Sequence, residues 1–320
     1  MEPISTLVVT DGAAGNERQA LALAAAMGLA PRVHRIGLLP PWSWLAPHLR
    51  IGGWHALPRA LRDPVDAEPP QLAIGCGRTG ALATALIRAR HGSYAVQILD
   101  PRASLDAWDL VVAPAHDALA GDNVVTTIGA LNSITPARLA AAALEHAELA
   151  QLPQPRTAVL VGGSTSTVRV DAGYAADLLQ RLSRWRAREG GSFLVTTSRR
   201  TSPGVAETLR ATASESDRIY SGEHEHANPY LGFLAHADRI VVTPDSVNLI
   251  SEACATGKPV YCLVREPVRG KLAAFHRALL DTGRLRPLDF EAPPWTPVPL
   301  RETDAVAEQV WRRFRARARS

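Results

Sequence analysis

The chain has 320 residues, 46% of them hydrophobic, which is enough to bury two ordinary cores of about 150 residues each; it contains no run of about 18 apolar residues that could cross a membrane. Its formal charge of +4 belongs to the end, because five arginines and no acid stand between Arg312 and Ser320; the body is near neutral and lacks the basic, aromatic-interleaved face that nucleic-acid binding needs. Cys76, Cys254 and Cys262 are odd in number and have no CxxC spacing, so neither disulfides nor zinc is indicated, and the start MEPISTLVVTDG has no basic-then-apolar leader, so a cytoplasmic chain is expected.

Leu7 to Val9 predicts a short buried strand that runs into Asp11-Gly-Ala-Ala-Gly15-Asn16, followed by a helical pattern from Arg18 to Met27 ended by Gly28. A glycine loop at the carboxyl end of a strand is where open α/β sheets place ligands, although a plain turn needing glycine reads the same. Leu38 to Trp54, LLPPWSWLAPHLRIGGW, carries Trp42, Trp44 and Trp54 beside His48 and Arg50. That composition suits a membrane interface or a lid packed on its own domain.

Leu72 to Ile74 predicts the next strand, and Gly75-Cys-Gly77-Arg78-Thr-Gly80 then opens a helix, with Asp100 about twenty residues on. This is the dinucleotide spacing, yet that fingerprint opens the first βα turn of a domain and here a βα unit precedes it. Asp109 to Val112 is a further strand ending at His116 and Asp117. His116 there is either a general base or a residue bonded to its own loop. A long Ala/Glu helix and the linker Gln151-Leu-Pro-Gln-Pro155 close the first half.

The second half restarts with a strand, Ala158 to Val161, that enters Gly162-Gly163-Ser164, a small-residue turn whose backbone can approach phosphate. A helix from Ala172 to Arg188 and a strand from Phe193 to Thr196 lead to Ser198-Arg199-Arg200-Thr201, which reads as a diphosphate clamp or as a solvated turn. Glu223-His-Glu-His226 alternates possible metal ligands, but on a loop no spacing makes them converge, so a metal is not expected; Asn228-Pro-Tyr230 follows.

Arg239 to Val264, RIVVTPDSVNLISEACATGKPVYCLV, packs strand, turn, helix and strand into one short unit. Pro244-Asp245-Ser246 breaks the first strand and offers an N-cap, and Gly257 closes the helix. At about 100° per residue Val247, Ile250 and Cys254 share the sheet-facing side, while Asp245, Asn248 and Glu252 gather opposite. A sugar diphosphate fits this pattern, with phosphate at the helix start and ribose hydroxyls on Glu252; the alternative is a solvated carboxylate above an ordinary cap. The last helix is expected from about Asp304 to Arg317.

In this order the blocks resemble the mitochondrial fission family named for the elongated mitochondria of plant mutants, whose fold relatives are the two-domain GT-B glycosyltransferases. The resemblance is carried by Thr243 to Ala253 with Gly257 to Val260, and by Asp11, Gly15, Asn16 and Gln19. It extends to Cys76-Gly77-Arg78 with Asp100-Pro-Arg102, to His116-Asp117, to the Gly162 and Arg199 turns, and to Asn228-Pro-Tyr230. It implies an α/β chain of two Rossmann-like domains with a cleft between them: 1–150 for an acceptor, 157–296 for a nucleotide-sugar donor, and 297–320 as a returning helix and basic tail. The implied activity is sugar transfer from a nucleotide sugar to an unidentified acceptor, a lipid-linked one among the candidates, with the protein cytoplasmic or peripheral at the inner face of the membrane. Asp11, His116 and Asp117 would be catalytic. Gly162, Gly163, Ser164, Ser198, Arg199, Arg200, Asn228, Tyr230, Asp245, Ser246, Asn248 and Glu252 would hold the donor, and Gly15, Asn16, Gly77 and Arg78 would face the acceptor. No metal and no cofactor beyond the nucleotide sugar is implied. A non-catalytic scaffold with the same body is the alternative, and an NAD-dependent sugar-nucleotide epimerase or oxidoreductase would follow if Gly75 to Gly80 were a true fingerprint.

Overall fold

The computed structural model describes residues 4–222, 228–289 and 295–317, so the Glu223 to His226 run lies outside the described residues. Two compact units result: Met1–Ser133 with Glu302–Ser320, and Ile134–Arg301.

In unit 1 the strands are β1 (Thr6–Thr10), β2 (Arg32–Arg35), β3 (Leu72–Cys76), β4 (Tyr94–Ile98), β5 (Leu110–Pro114) and β6 (Val124–Thr127). Helices α1 (Ala14–Ala26), α2 (Trp42–Leu45), α3 (Gly53–Ala56), α4 (Arg59–Ala67) and α5 (Gly77–His91) connect them. The sheet is parallel throughout, in the order β2-β1-β3-β4-β5-β6. Every residue of β1, β3, β4 and β5 is buried, because helices cover both faces. Alternation along β1 divides the core: Val8 meets Leu23 and Ala24 of α1, while Leu7 and Val9 meet Leu61 and Val65 of α4 on the other side.

Unit 2 begins with α6 (Pro136–Glu145), whose N-cap Thr135 accepts from Arg138 N, and continues β7 (Arg156–Val161), α7 (Ala172–Glu189), β8 (Ser192–Thr197), α8 (Pro203–Ala211) and β9 (Arg218–Tyr220). Then follow α9 (Tyr230–His236), β10 (Arg239–Val242), α10 (Val247–Ala255), β11 (Val260–Cys262), α11 (Gly270–Asp281) and β12 (Arg286–Pro287). Its sheet is also parallel, ordered β12-β11-β10-β7-β8-β9.

The boundary expected near residue 150 is displaced to Ser133/Ile134, since α6 packs on α9. His236 Nε2 lies 3.1 Å from Ala143 O, and Gly232 is glycine because a Cβ there would stand 2.4 Å from the His146 ring. The proline-rich linker therefore falls inside unit 2.

The last helix, α12 (Thr303–Arg317), is counted with unit 1. Just before it, the Glu302 carboxylate accepts from Ile128 N at 2.8 Å and Gly129 N at 2.9 Å. Val306, Ala307 and Val310 enter the core beside α1, and Trp311 Nε1 donates to Met27 O.

The strand order places a topological switch in each unit, between β1 and β3 in unit 1 and between β7 and β10 in unit 2. Adjacent strands there send their connections to opposite faces, and ligands bind in the crevice this leaves at the carboxyl ends. The Asp11 loop and Gly77 sit at the first switch; Gly162 and Asp245 sit at the second.

Candidate functional site

At the unit 2 switch one buried carboxylate organises three segments. Asp245 accepts from Thr243 Oγ1 at 2.6 Å, from Gly163 N at 3.1 Å and from Arg200 Nη2 at 2.7 Å, while Thr243 Oγ1 also accepts from Gly162 N at 2.8 Å. Both glycines are required by this approach: a Cβ on Gly162 would lie 2.2 Å from Asp245 Oδ1, and one on Gly163 would lie 2.1 Å from Arg200 O. Thr201 Oγ1 donates to Gly162 O and accepts from Ser198 N, fastening the arginine turn to the glycine turn. Asp245 is thus an organiser of the loops around the site, its oxygens already engaged. Of the two arginines, Arg200 is held by it and Arg199 is exposed.

Ser246 caps α10, its Oγ accepting from Leu249 N, which leaves the Val247 and Asn248 N–H groups at the helix start without intrahelical acceptors. Further along α10, Glu252 does not take the solvated alternative: it is 8% exposed, and α10 is buried from Ile250 through Ala255. The Tyr230 phenol, at the start of α9, donates to Glu252 Oε2. Asn228 Oδ1 in turn accepts from Tyr230 N and fixes the start of that helix. The structure therefore brings together Tyr230 and Glu252, two candidates 22 residues apart.

Two contributors were not read from sequence. His276, buried in α11, has Nε2 3.0 Å from Pro244 O; burial pushes its pKa down, opposed by that carbonyl and by Asp245, so a neutral ring steadies the turn before Ser246. A cleft of about 150 Å³ opens beside Pro244, lined by Thr167, Arg169, Asp171, Arg265 and Glu266. No short motif marks either, because each contact joins segments far apart in the chain. Ser164 faces inward to its own loop, accepting from Val170 N and donating to Val170 O. Burial raises the thiols of Cys262 and Cys254, the latter to about 12, so neither is a nucleophile at neutral pH.

At the unit 1 switch Asn16 Nδ2 donates to both Asp11 carboxylate oxygens at 3.2 Å, and Asp11 also accepts from Ala13 N. Gly77 has φ +74°, and a Cβ on it would meet Asn16 Nδ2 at 2.6 Å. Gly75 and Gly80 serve close packing: a Cβ on Gly75 would lie 2.7 Å from Gly80 O, and one on Gly80 would lie 2.6 Å from Val9 O. The Gly-x-Gly-x-x-Gly spacing is accounted for by these contacts, with the Asn16 amide lying over the second glycine. Arg78 turns away to donate from Nε to Ala46 O and from Nη2 to Trp44 O. Gly15 O is 3.4 Å from Gln19 Nε2.

His116 and Asp117 lie in the single 3-10 turn Ala115–Asp117 after β5. Asp11 follows β1 and the His116 pair follows β5, so three strand spacings of the sheet, each about 4.8 Å, separate the two strands that carry them. Among the described residues no group of three His, Cys, Asp or Glu side chains could hold a metal, and no helix is long and apolar enough to cross a membrane.

A family model described as mitochondrial fission ELM1 matches residues 14–314. The chain is 34% identical over 285 residues to the mitochondrial fission protein ELM1 of Arabidopsis thaliana, covering 80% of this chain and 66% of the plant protein, just under two thirds of its length. It is 28% identical over 294 residues to an uncharacterised protein of Rickettsia prowazekii, covering 79% of this chain and 81% of that one. Among solved structures, the UDP-GlcNAc 2-epimerase of Methanocaldococcus jannaschii superposes with TM-score 0.60 at 13% identity, over 97% of this chain and 99% of that one. MurG of Acinetobacter baumannii gives 0.51 at 14%, over 97% and 90%, and the Neisseria meningitidis epimerase bound to UDP-GlcNAc gives 0.52 at 12%, over 96% and 99%. At such identities the likeness shows the fold, two Rossmann-like domains of the GT-B kind.

Proposed function

This chain belongs to the mitochondrial fission ELM1 family, and from that premise we propose that its second unit binds a nucleotide sugar at the start of α10. The observation that carries the reading is Glu252: a nearly buried carboxylate in mid-helix, oriented by the Tyr230 phenol, little more than one turn above the uncapped N–H groups of Val247 and Asn248, at a topological switch. Ribose hydroxyls would donate to Glu252 and the diphosphate would meet those N–H groups, with Gly163, Ser164, Ser198 and Arg199 on the neighbouring loops. Asp245 and Arg200 hold those loops in place. The solved structure of a fold relative with UDP-GlcNAc bound supports the ligand class.

Transfer of the sugar, to an acceptor taken by the Asp11, Gly15, Asn16 and Gly77 loops of unit 1, is the enzymatic form of this proposal. The alternative form is one in which the unit binds the nucleotide sugar without turning it over, as a scaffold with the same body would.

Calorimetric titration with nucleoside diphosphates and their sugars tests the site. Glu252→Gln keeps an acceptor for Tyr230 but removes the charge, so affinity should fall about ten- to a hundredfold with the fold intact. Equal affinity in the variant removes Glu252 from the site. Release of free nucleotide by the native chain, and none by an Asp11→Asn variant, selects the enzymatic form.

A further inference from the structure

Four large apolar side chains stand exposed in one stretch of unit 1: Leu39 at 73%, Trp44 at 72%, Leu45 at 48% and Ile51 at 87%. The other two tryptophans of the segment are used inside the unit. Trp42 Nε1 donates to Ile51 O, and Trp54 packs edge-on against the His91 ring with the Arg90 guanidinium 4.9 Å from its ring centre. The short helix α2 therefore presents Trp44 and Leu45 outward while Trp42 ties the far end of the loop down.

The chain through this segment carries charge of one sign, although Asp66 pairs with Arg90 and His91 beside Trp54. No Asp or Glu occurs between Glu17 and Asp63, whereas six arginines and three histidines do. Arg32 and Arg35 are matched to Glu68 and Glu17, but among the described residues Arg50, Arg59 and Arg62 are paired with no carboxylate. An apolar tip flanked by unneutralised arginines has the chemistry of a surface that inserts its side chains at the acyl boundary and leaves its cations at the headgroups.

We propose that Leu39 to Ile51 seats the protein on an anionic lipid bilayer. The seat is continuous with the unit 1 switch: Arg78, which donates to Trp44 O and Ala46 O, opens α5 directly after Gly77, and Gly77 lies under the Asn16 amide that donates to Asp11. Insertion of Trp44 fixes the height of the Asp11 loop over the bilayer, so a molecule taken by that loop is one presented at the lipid surface. This places a surface and a partner independently of the donor site in unit 2, and either can fail without the other.

The test is sedimentation of the full chain with vesicles of phosphatidylcholine and with vesicles containing about one third phosphatidylserine. Expected is binding to the anionic vesicles, at least tenfold weaker binding to the neutral ones, and release as salt is raised, because the Debye length falls from about 10 Å at 0.1 M to about 3 Å at 1 M. Trp44→Ser with Ile51→Ser should lower anionic-vesicle binding at least tenfold; both side chains are exposed, so the thermal midpoint should not move. Leu39→Ser with Leu45→Ser, a second pair, should do the same. Binding unchanged in both double variants, or no binding of the native chain to anionic vesicles, overturns the proposal. So does salt-independent self-association abolished by the same variants, which would make the face a contact between copies.

Discussion

Arg200 Nη2 stands 2.7 Å from Asp245 Oδ2, joining the turn after β8 to the turn before α10 across 45 residues of chain. The Asp245 side chain is fully buried and the Arg200 side chain is half exposed, so the pair is a charge-assisted hydrogen bond at the edge of water rather than an interior ion pair. Asp245→Asn should keep the size and lose this bond and part of the Gly163 and Thr243 contacts. A loss of about 1–3 kcal/mol is expected, read as a lower urea midpoint. Arg200→Ala should cost less, because water can reach the freed edge. The reverse order would show that Arg200, not Asp245, organises the loops.

Tyr230→Phe tests the orientation of Glu252. Removing the phenol leaves an 8% exposed carboxylate with one donor fewer, so nucleotide affinity should weaken several-fold while Glu252→Gln weakens it more. A stability loss with unchanged affinity would confine Tyr230 to packing.

The glycines divide sharply by what surrounds them. Gly163→Ala places a Cβ 2.1 Å from the Arg200 carbonyl oxygen, so the loops must part, at a cost of about 1–3 kcal/mol. Gly204→Ala, in the exposed first turn of α8 with nothing within 4 Å, should instead gain up to about 1 kcal/mol. Paired thermal melts separate the two signs.

Lys258 gives a pH signature. Burial lowers its pKa from 10.5 to about 8, partly opposed by Asp238, while Nζ donates to Leu234 O and Ala235 O at the end of α9. Between about pH 8 and 10.5 the unfolded chain therefore holds more protons at this position than the folded one. The native chain should gain stability through this group as pH rises across that window and lose it as pH falls through 8. Lys258→Met should abolish the gain, measured as the difference between urea midpoints of the two proteins at pH 7.5 and 9.5.

The sheet-forming half of this architecture was legible because fully buried parallel strands are continuous apolar runs, as in Leu7 to Val9 and Ile240 to Val242, and because glycine turns mark their carboxyl ends. The α6 boundary was not, since Gln151 to Pro155 looks like a linker whether the helix before it packs forward or back. Nor was the burial of Glu252. Helical periodicity separates Glu252 from Ile250 and Cys254 but cannot know that Tyr230, contributed by another helix, covers the second face. The same limit hid the Asp245 contacts: each donor lies on a different strand end, and the sheet order that gathers them is not a local property. The tryptophans of residues 38–54 suited either a membrane surface or packing on their own domain, and composition could not tell that His91 and Arg90 would take Trp54 inward while Trp44 stays exposed.

Because α12 supplies Val306, Ala307 and Val310 to the core of unit 1, that unit is interrupted by the whole of unit 2, residues 134–301. On the ribosome, strands β1 to β6 emerge first yet wait for the last helix, roughly 10–40 s at ordinary elongation rates. Unit 2, a continuous stretch, can complete itself meanwhile. The first part made is thus the last to be finished, and its exposed α1 groove is what a chaperone would meet during the interval.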